Sequence, residues 1–289
     1  MVYLRLVLTA LFWGGTFIAG RVVSSEIGPY SAAFLRFLLA SGLLFALVMR
    51  YEKRWPRLEL RQLGPVVVLG LTGVFAYNVL FFKGLKLISA GRAALIVANN
   101  PVVIVLLSAV VFKERLTRSQ FAGIILSVAG AVIVISRGDL RAVLDEGVGW
   151  GELFIAGCVA SWAAYSLVGK VVLRRLSPVS SVCYAAVIGT VALLGPAFHF
   201  GLVQDLLSLP ADGWISIGYL GIFGTVLGFV WYYEGVRELG PSRASIFINL
   251  VPVFAILLAF LILGEPVTRS LLLGGCFVLA GVYLTNRSR

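Results

Sequence analysis

Side chains able to do chemistry are few in this sequence, and their positions are informative. The one histidine, His199, stands near the end of an apolar run, and no such run holds paired acids or a nucleophile with a neighbouring base. General acid–base and nucleophilic catalysis need those partners within hydrogen-bond reach. Phosphate-cradling glycine loops and metal-ligand spacings are also missing. An intramembrane enzyme is disfavoured, and neither a cofactor nor a metal is expected. The apolar runs hold aromatic rings instead: Trp13, Phe17, Tyr77, Phe81, Trp162, Tyr165, Trp231 and Tyr232, with the amides Asn78, Asn99 and Asn249. Broad apolar walls with hydroxyl and indole handles suit an amphipathic or aromatic solute. Trp55, Trp150 and Trp214 stand near run ends and read as interfacial belt residues.

The elements that position these residues must work in lipid. The 289 residues are 60% hydrophobic and 13% charged, with mean hydropathy +1.00, whereas a soluble domain is about a quarter charged. Ten apolar runs are expected to span: 3–23, 29–49, 63–82, 92–112, 119–136, 149–170, 179–199, 213–233, 243–263 and 269–286. They are continuously apolar and lack barrel-strand alternation, so they read as helices. The expected fold is an all-α integral membrane protein, one membrane domain over 1–289. The first run ends at Arg21 rather than at a small-residue cleavage site, so it is expected to stay in the mature protein. Cys158, Cys183 and Cys276 fall inside spans and read as small core residues, with no disulfide framework.

Alternating helices put 16 basic residues on the side of both termini and 7 on the other, with Arg36 inside a span. The excess marks the cytoplasmic side, so both termini are expected there. The net charge of +11 lies in short loops between spans, where it sets topology and meets anionic headgroups. Nucleic acid is not an expected partner.

The chain also repeats itself. Gly84, Arg92, Ala93, Pro101, Glu114, Thr117, Arg118, Gly123 and Gly130 match Gly235, Arg243, Ala244, Pro252, Glu265, Thr268, Arg269, Gly274 and Gly281 at an offset of 151. Gly70 and Gly73 match Gly221 and Gly224 at the same offset, while Trp13, Gly20, Arg21 and Pro29 match Trp162, Gly169, Lys170 and Pro178 at 149. Each copy, 1–141 and 149–289, holds five spans, an odd number, so the second must enter the membrane upside down. Two inverted five-helix repeats follow. The Glu114 loop, Lys113-Glu114-Arg115, has lost its two flanking cations in Gly264-Glu265-Pro266, as expected of the copy that lies outside.

These features resemble the EamA-type branch of the drug/metabolite transporter superfamily. The resemblance is carried by Phe12-Trp13-Gly14-Gly15, by Pro29 leading into Phe34-Leu35-Arg36-Phe37, and by two proline-led helices ending in acidic loops, Pro101 to Glu114 and Pro252 to Glu265. It covers essentially the whole chain. It implies a multi-pass protein of a bacterial-type inner membrane that alternates access between halves without ATP, around a cavity lined by the first, third, fourth, sixth, eighth and ninth helices. Within the superfamily the chain looks most like amino-acid and metabolite exporters, including the aromatic amino-acid type, and export is implied by that resemblance alone.

Gly70, Gly73, Gly221, Gly224 and Gly228 leave room for close helix approach or bending, as static packing or as hinges. Pro101 and Pro252 are expected to kink their spans beside Asn99 and Asn249, either as satisfied kinks or as places that bind the polar end of a solute. Arg36 is expected to snorkel, to cap a neighbouring helix or to attract a solute carboxylate. No carboxylate lies at mid-span in the first helix, where small multidrug members of the superfamily carry a glutamate. A carrier of phosphorylated or nucleotide-linked anions would need several converging cations, and most cations here lie in loops. The favoured solute is a neutral or zwitterionic small molecule, and no protein partner is required.

Overall fold

A computed structural model describes residues 1–53, 58–112, 117–136, 138–139, 148–173, 175–239 and 247–287. Among these every regular element is helical. The chain runs through α1 (Val2–Glu26), α2 (Pro29–Glu52), α3 (Leu60–Leu69), a π-helical segment Gly70–Ala76, α4 (Tyr77–Leu87), α5 (Ala90–Val97), α6 (Asn100–Phe112) and α7 (Arg118–Ile135). It continues with α8 (Trp150–Val172), α9 (Pro178–His199), α10 (Leu202–Ser208), α11 (Ala211–Tyr219), a second π-helical segment Leu220–Leu227, α12 (Gly228–Leu239), a 3₁₀ turn Phe247–Leu250, α13 (Val251–Leu263) and α14 (Arg269–Arg287).

Local sequence sets the starts. Pro29 and Pro178 occupy the first turns of α2 and α9, where a missing N–H costs nothing. Thr117 Oγ1 accepts from Gln120 N while Gln120 Oε1 accepts from Thr117 N, a reciprocal cap on α7. Seven helical stretches among the described residues are long and apolar enough to cross a membrane, and Ala90–Ile104, Phe247–Leu263 and Arg269–Thr285 are shorter apolar ones. Phe121, Ile125, Phe260, Leu261, Leu272 and Leu273 are among the large side chains exposed on the outer surface. Water would not support so continuous an apolar exterior; hydrocarbon does. This is a helical membrane protein.

Polar contacts gather where helices end. Arg5 pairs with Glu234, Arg175 Nη1 pairs with Glu59 Oε2 at 2.9 Å, and Glu52 accepts from Ser177 and Ser180. Elsewhere Arg92 Nη2 pairs with Glu152 Oε1 at 2.8 Å, Arg21 donates to the Leu85 and Ile88 carbonyls, and Glu265 accepts from the Ala90 and Gly91 amides. Each of these contacts joins segments that the sequence assigned to the same face.

Glycines bring the helices together. A methyl group added at Gly123 would lie 2.6 Å from the Gly281 carbonyl oxygen, and one at Gly281 would lie 2.6 Å from that of Gly123. Gly130 and Gly274 face each other in the same way, at 2.6 and 2.8 Å. α7 and α14 therefore touch backbone to backbone beside a small core of Val102, Ile124, Val278 and Val282. The main core holds contacts that come in matched sets: Gly70 on Ile188 and Gly221 on Leu39, Gly84 on Ile155 and Gly235 on Leu6.

Two expectations change. Pro101 and Pro252 do not kink continuous helices; each sits in the first turn of a new one, α6 after a break at Ala98 and Asn99, and α13 after the 3₁₀ turn. A proline ring clashes with the preceding turn, so the helix ends and restarts. Cys276 is exposed on α14, whereas Cys158 and Cys183 are buried. The short α10 follows Gly201, whose φ of +100° suits glycine, and its Asp205 accepts from Gly28 N at 3.2 Å. Trp55 and Glu114 lie outside the described residues, while Trp150 and Trp214 are exposed.

Gly130→Val should push α7 from α14 and destabilise the protein by about 1–3 kcal/mol. The check is a thermal unfolding midpoint in detergent, expected to fall; an unchanged midpoint would contradict the backbone contact.

Candidate functional site

The site begins with two helices that change winding halfway along. Gly70–Ala76 and Leu220–Leu227 are π-helical, a wider geometry that bonds i to i+5 and is common at functional positions. Side chains complete the backbone bonding there. Asn78 Nδ2 donates to the Val74 and Gly73 carbonyls at 2.8 and 3.3 Å, and Thr225 Oγ1 donates to the Leu220 carbonyl at 2.9 Å. Trp13 Nε1 crosses from α1 to the Gly224 carbonyl at 3.0 Å. The glycines admit these neighbours: a methyl at Gly73 would meet the Tyr165 ring at 2.3 Å, one at Gly224 the Thr16 methyl at 2.6 Å, and one at Gly228 the Trp13 indole nitrogen at 2.6 Å.

Against these segments lies a continuous run of rings. Phe17 meets Phe81 with centroids 5.3 Å apart, Phe81 meets Tyr77 at 6.0 Å, and Tyr77 meets Trp162 at 5.5 Å. Trp162 then touches Tyr165 at 5.2 Å and Phe229 at 6.0 Å, and Phe229 touches Trp13 at 5.6 Å, which touches Tyr232 at 5.4 Å. Trp13 and Trp162 stand at mid-length of α1 and α8. Phe17 and Phe81 are buried, whereas Trp13, Tyr77 and Trp162 remain partly exposed.

A charge also reaches this level. Arg36, on α2, is 7% exposed and does not snorkel. Its Nη1 donates to Asn78 Oδ1 at 3.0 Å, its Nε donates to Thr225 Oγ1 at 3.2 Å, and its guanidinium carbon lies 5.3 Å from the Phe37 ring centre. Among the described residues the ion pairs include Arg5–Glu234, Arg92–Glu152 and Arg175–Glu59. None involves Arg36.

A cavity beside Trp162, Tyr165 and Phe229 is small. It measures about 20 Å³ and is lined by Phe37, Gly73, Trp162, Tyr165, Thr225 and Phe229 among others. That holds about one water, well under the ~300 Å³ of a small-ligand pocket. A larger cavity of about 350 Å³ lies at the helix ends, against Ser89, Arg92, Glu265 and Thr268.

Of the residues singled out from the sequence, Trp13, Phe17, Tyr77, Phe81, Trp162, Tyr165 and Tyr232 come together in the run. Asn78 sits behind it, bonded to Arg36. Trp231 points elsewhere, against Phe12 at 5.5 Å. Asn99 is remote from the rings: its Nδ2 donates to the Leu95 and Ile96 carbonyls at 3.1 and 3.2 Å, and its Oδ1 accepts from Ser127 at 2.6 Å. Asn249 lies half-buried on the 3₁₀ turn. Phe229 and Thr225 were missed. Phe229 was findable, being three residues before Tyr232 and so on the same helix face. Nothing in residue type announces a π-helical segment.

The sequence pattern of the EamA-like transporter family matches this chain twice, over residues 1–136 and 149–287. The chain belongs to that family. As an EamA-like transporter it carries small molecules across a membrane as a multi-pass protein. It is 34% identical over 285 residues to a probable terminal-alkyne amino-acid exporter of Streptantibioticus cattleyicolor, covering 98% of this chain and 92% of the relative. It is 30% identical to the uncharacterized transporter YyaM of Bacillus subtilis (97% and 92% covered) and 32% identical to an uncharacterized transporter of Archaeoglobus fulgidus (99% and 99%). A crystal structure at 22% identity superposes with a TM-score of 0.67, covering 100% of this chain and 99% of its own, which supports the overall fold alone.

Trp13→Phe keeps the ring and removes the donor to the Gly224 carbonyl. It should cost about 1 kcal/mol of stability, read as a modest drop in the unfolding midpoint, with no drop contradicting that bond.

Proposed function

We propose that this transporter moves neutral or aromatic amino acids and related small metabolites, in the export direction, by alternating access along the ring-lined seam between residues 1–136 and 149–287. The observation that carries the reading is the aromatic run itself. It stands at mid-length of the helices, draws its members from both family-matched segments, and offers apolar walls with indole and phenol groups. The amino-acid exporter named among the relatives supports the solute class and the direction.

In this reading the chain crosses the membrane ten times as two inverted five-helix repeats. The seven long stretches supply seven crossings, and α5 with α6, the 3₁₀ turn with α13, and α14 supply three. Support comes from contacts that exchange under the sequence offsets. Gly73 with Tyr165 corresponds to Gly224 with Thr16, and Gly84 with Ile155 to Gly235 with Leu6. Ser41 and Thr190 are themselves equivalent positions, and their hydroxyls meet at 3.1 Å. Such self-complementary pairing is what a twofold relation produces. The excess of cations on the side of both termini supports a cytoplasmic position for them, and the family membership supports a bacterial-type inner membrane.

A cavity for one water cannot hold an amino acid, so the halves must separate around the rings to admit one. The glycine and π-helical segments are where that bending is expected. No acid–base pair meets at the rings among the described residues, which favours carriage over catalysis.

In proteoliposomes, counterflow of labelled phenylalanine, leucine, glutamate, lysine and an organic phosphate should favour the first two. Trp162→Ala should weaken phenylalanine by about tenfold, the scale of one lost aromatic contact with its buried area. Carriage of the organic phosphate alone, or a fully active Trp162→Ala, would contradict the reading.

A further inference from the structure

Arg36 is a buried cation beside the rings whose donors are only partly met among the described residues. Its side chain is buried at the level of Tyr77 and Gly224, where a cation without a counter-charge is costly. The neighbours it has are neutral: the Asn78 amide, the Thr225 hydroxyl and the Phe37 ring. Asn78 Nδ2 in turn donates to the Val74 carbonyl at 2.8 Å and Thr225 Oγ1 to the Leu220 carbonyl at 2.9 Å, so both partners are fixed by the π-helical segments. The guanidinium is thus oriented from two sides. Its Nη2 donates to nothing among the described residues and lies beside Gly224, 3.7 Å from where a Cβ at that position would stand. The Thr16 methyl lies over Gly224, 2.6 Å from that Cβ position, and the Trp13 indole bonds the same residue's carbonyl, so Nη2 is reached only when the halves separate around the rings.

Resting on the solute reading above, we propose that Arg36 is the specificity-determining residue of the pathway, receiving the carboxylate of a solute whose apolar body lies against Trp13, Tyr77, Trp162 and Phe229. A guanidinium suits this task because it stays charged and offers a planar edge that matches a carboxylate. The held orientation means little is lost in ordering it when solute arrives. Aromatic amines and amides, which share the ring but lack the anion, are then poor solutes; simple arylalkyl carboxylates are good ones.

The test uses purified wild-type protein, Arg36→Lys and Arg36→Gln in proteoliposomes, with phenylalanine, 3-phenylpropionate, phenylalaninamide and phenethylamine competing for labelled phenylalanine or leucine counterflow. In the wild type the two carboxylates should compete about 10- to 100-fold better than the amide and amine, the span of one charge-assisted hydrogen-bonded contact. Arg36→Gln should erase that ratio, and Arg36→Lys should restore part of it. Equal competition by all four compounds in the wild type overturns the role of Arg36 and leaves the aromatic pathway standing. Absence of counterflow for both amino acids in the wild type overturns the solute reading and this inference with it. An Arg36→Gln protein that folds and keeps the wild-type ratio overturns the inference alone, as does a pair of variants that lose all four ligands equally, which would mark a structural residue.

Discussion

A bilayer core offers no water to a peptide group, so every carbonyl released by irregular winding has to find a donor inside the protein. Much of this structure follows from that constraint. The two π-helical segments and the break before Pro101 are irregular, and side chains bond around each: Asn78 to Val74, Thr225 to Leu220, Trp13 to Gly224, Asn99 to Leu95 and Ile96. Helix ends are treated alike, with Arg92 on the Val134 and Ile135 carbonyls and Arg21 on those of Leu85 and Ile88. Irregular backbone survives at depth only with such partners, and it is irregular backbone that lets packed helices bend.

Glycine provides the complementary half. It removes side chains where a ring or a neighbouring backbone must enter, as at Gly73 beneath Tyr165 and at Gly123 against Gly281. The rings of Tyr77, Trp162, Phe229 and Trp13 can then form one surface shared by both family-matched segments. The cavity beside Trp162, Tyr165 and Phe229 measures about 20 Å³, too small for a solute. Rings in mutual contact can exchange each other for a solute at little cost, since both faces are apolar, and this makes such a surface suited to opening.

Much of this could be read from residue order. Apolar run length located the helices, and the aromatics chosen for type and depth proved to be neighbours, all but Trp231, which lies one position along α12 from Tyr232 and so turns about 100° away toward Phe12. Amides were harder to read. Asn99 and Asn78 look alike in sequence, yet one closes a helix break against Ser127 and the other orients Arg36. Which carbonyls lack partners depends on winding, and residue types do not record winding. Arg36 was ambiguous for the same reason, because its acceptors Asn78 and Thr225 come from distant parts of the chain and meet only after folding.

The central claim is that the ring surface opens to solute from one side of the membrane at a time. Cysteine accessibility tests it most directly. With Cys158, Cys183 and Cys276 replaced by serine, Tyr77→Cys and Phe229→Cys would be exposed to a membrane-impermeant thiol reagent in oriented vesicles, with and without phenylalanine. The account predicts labelling of both positions from the same aqueous side, slowed when phenylalanine is bound. Labelling only by a lipid-soluble reagent, or labelling indifferent to phenylalanine, would contradict it.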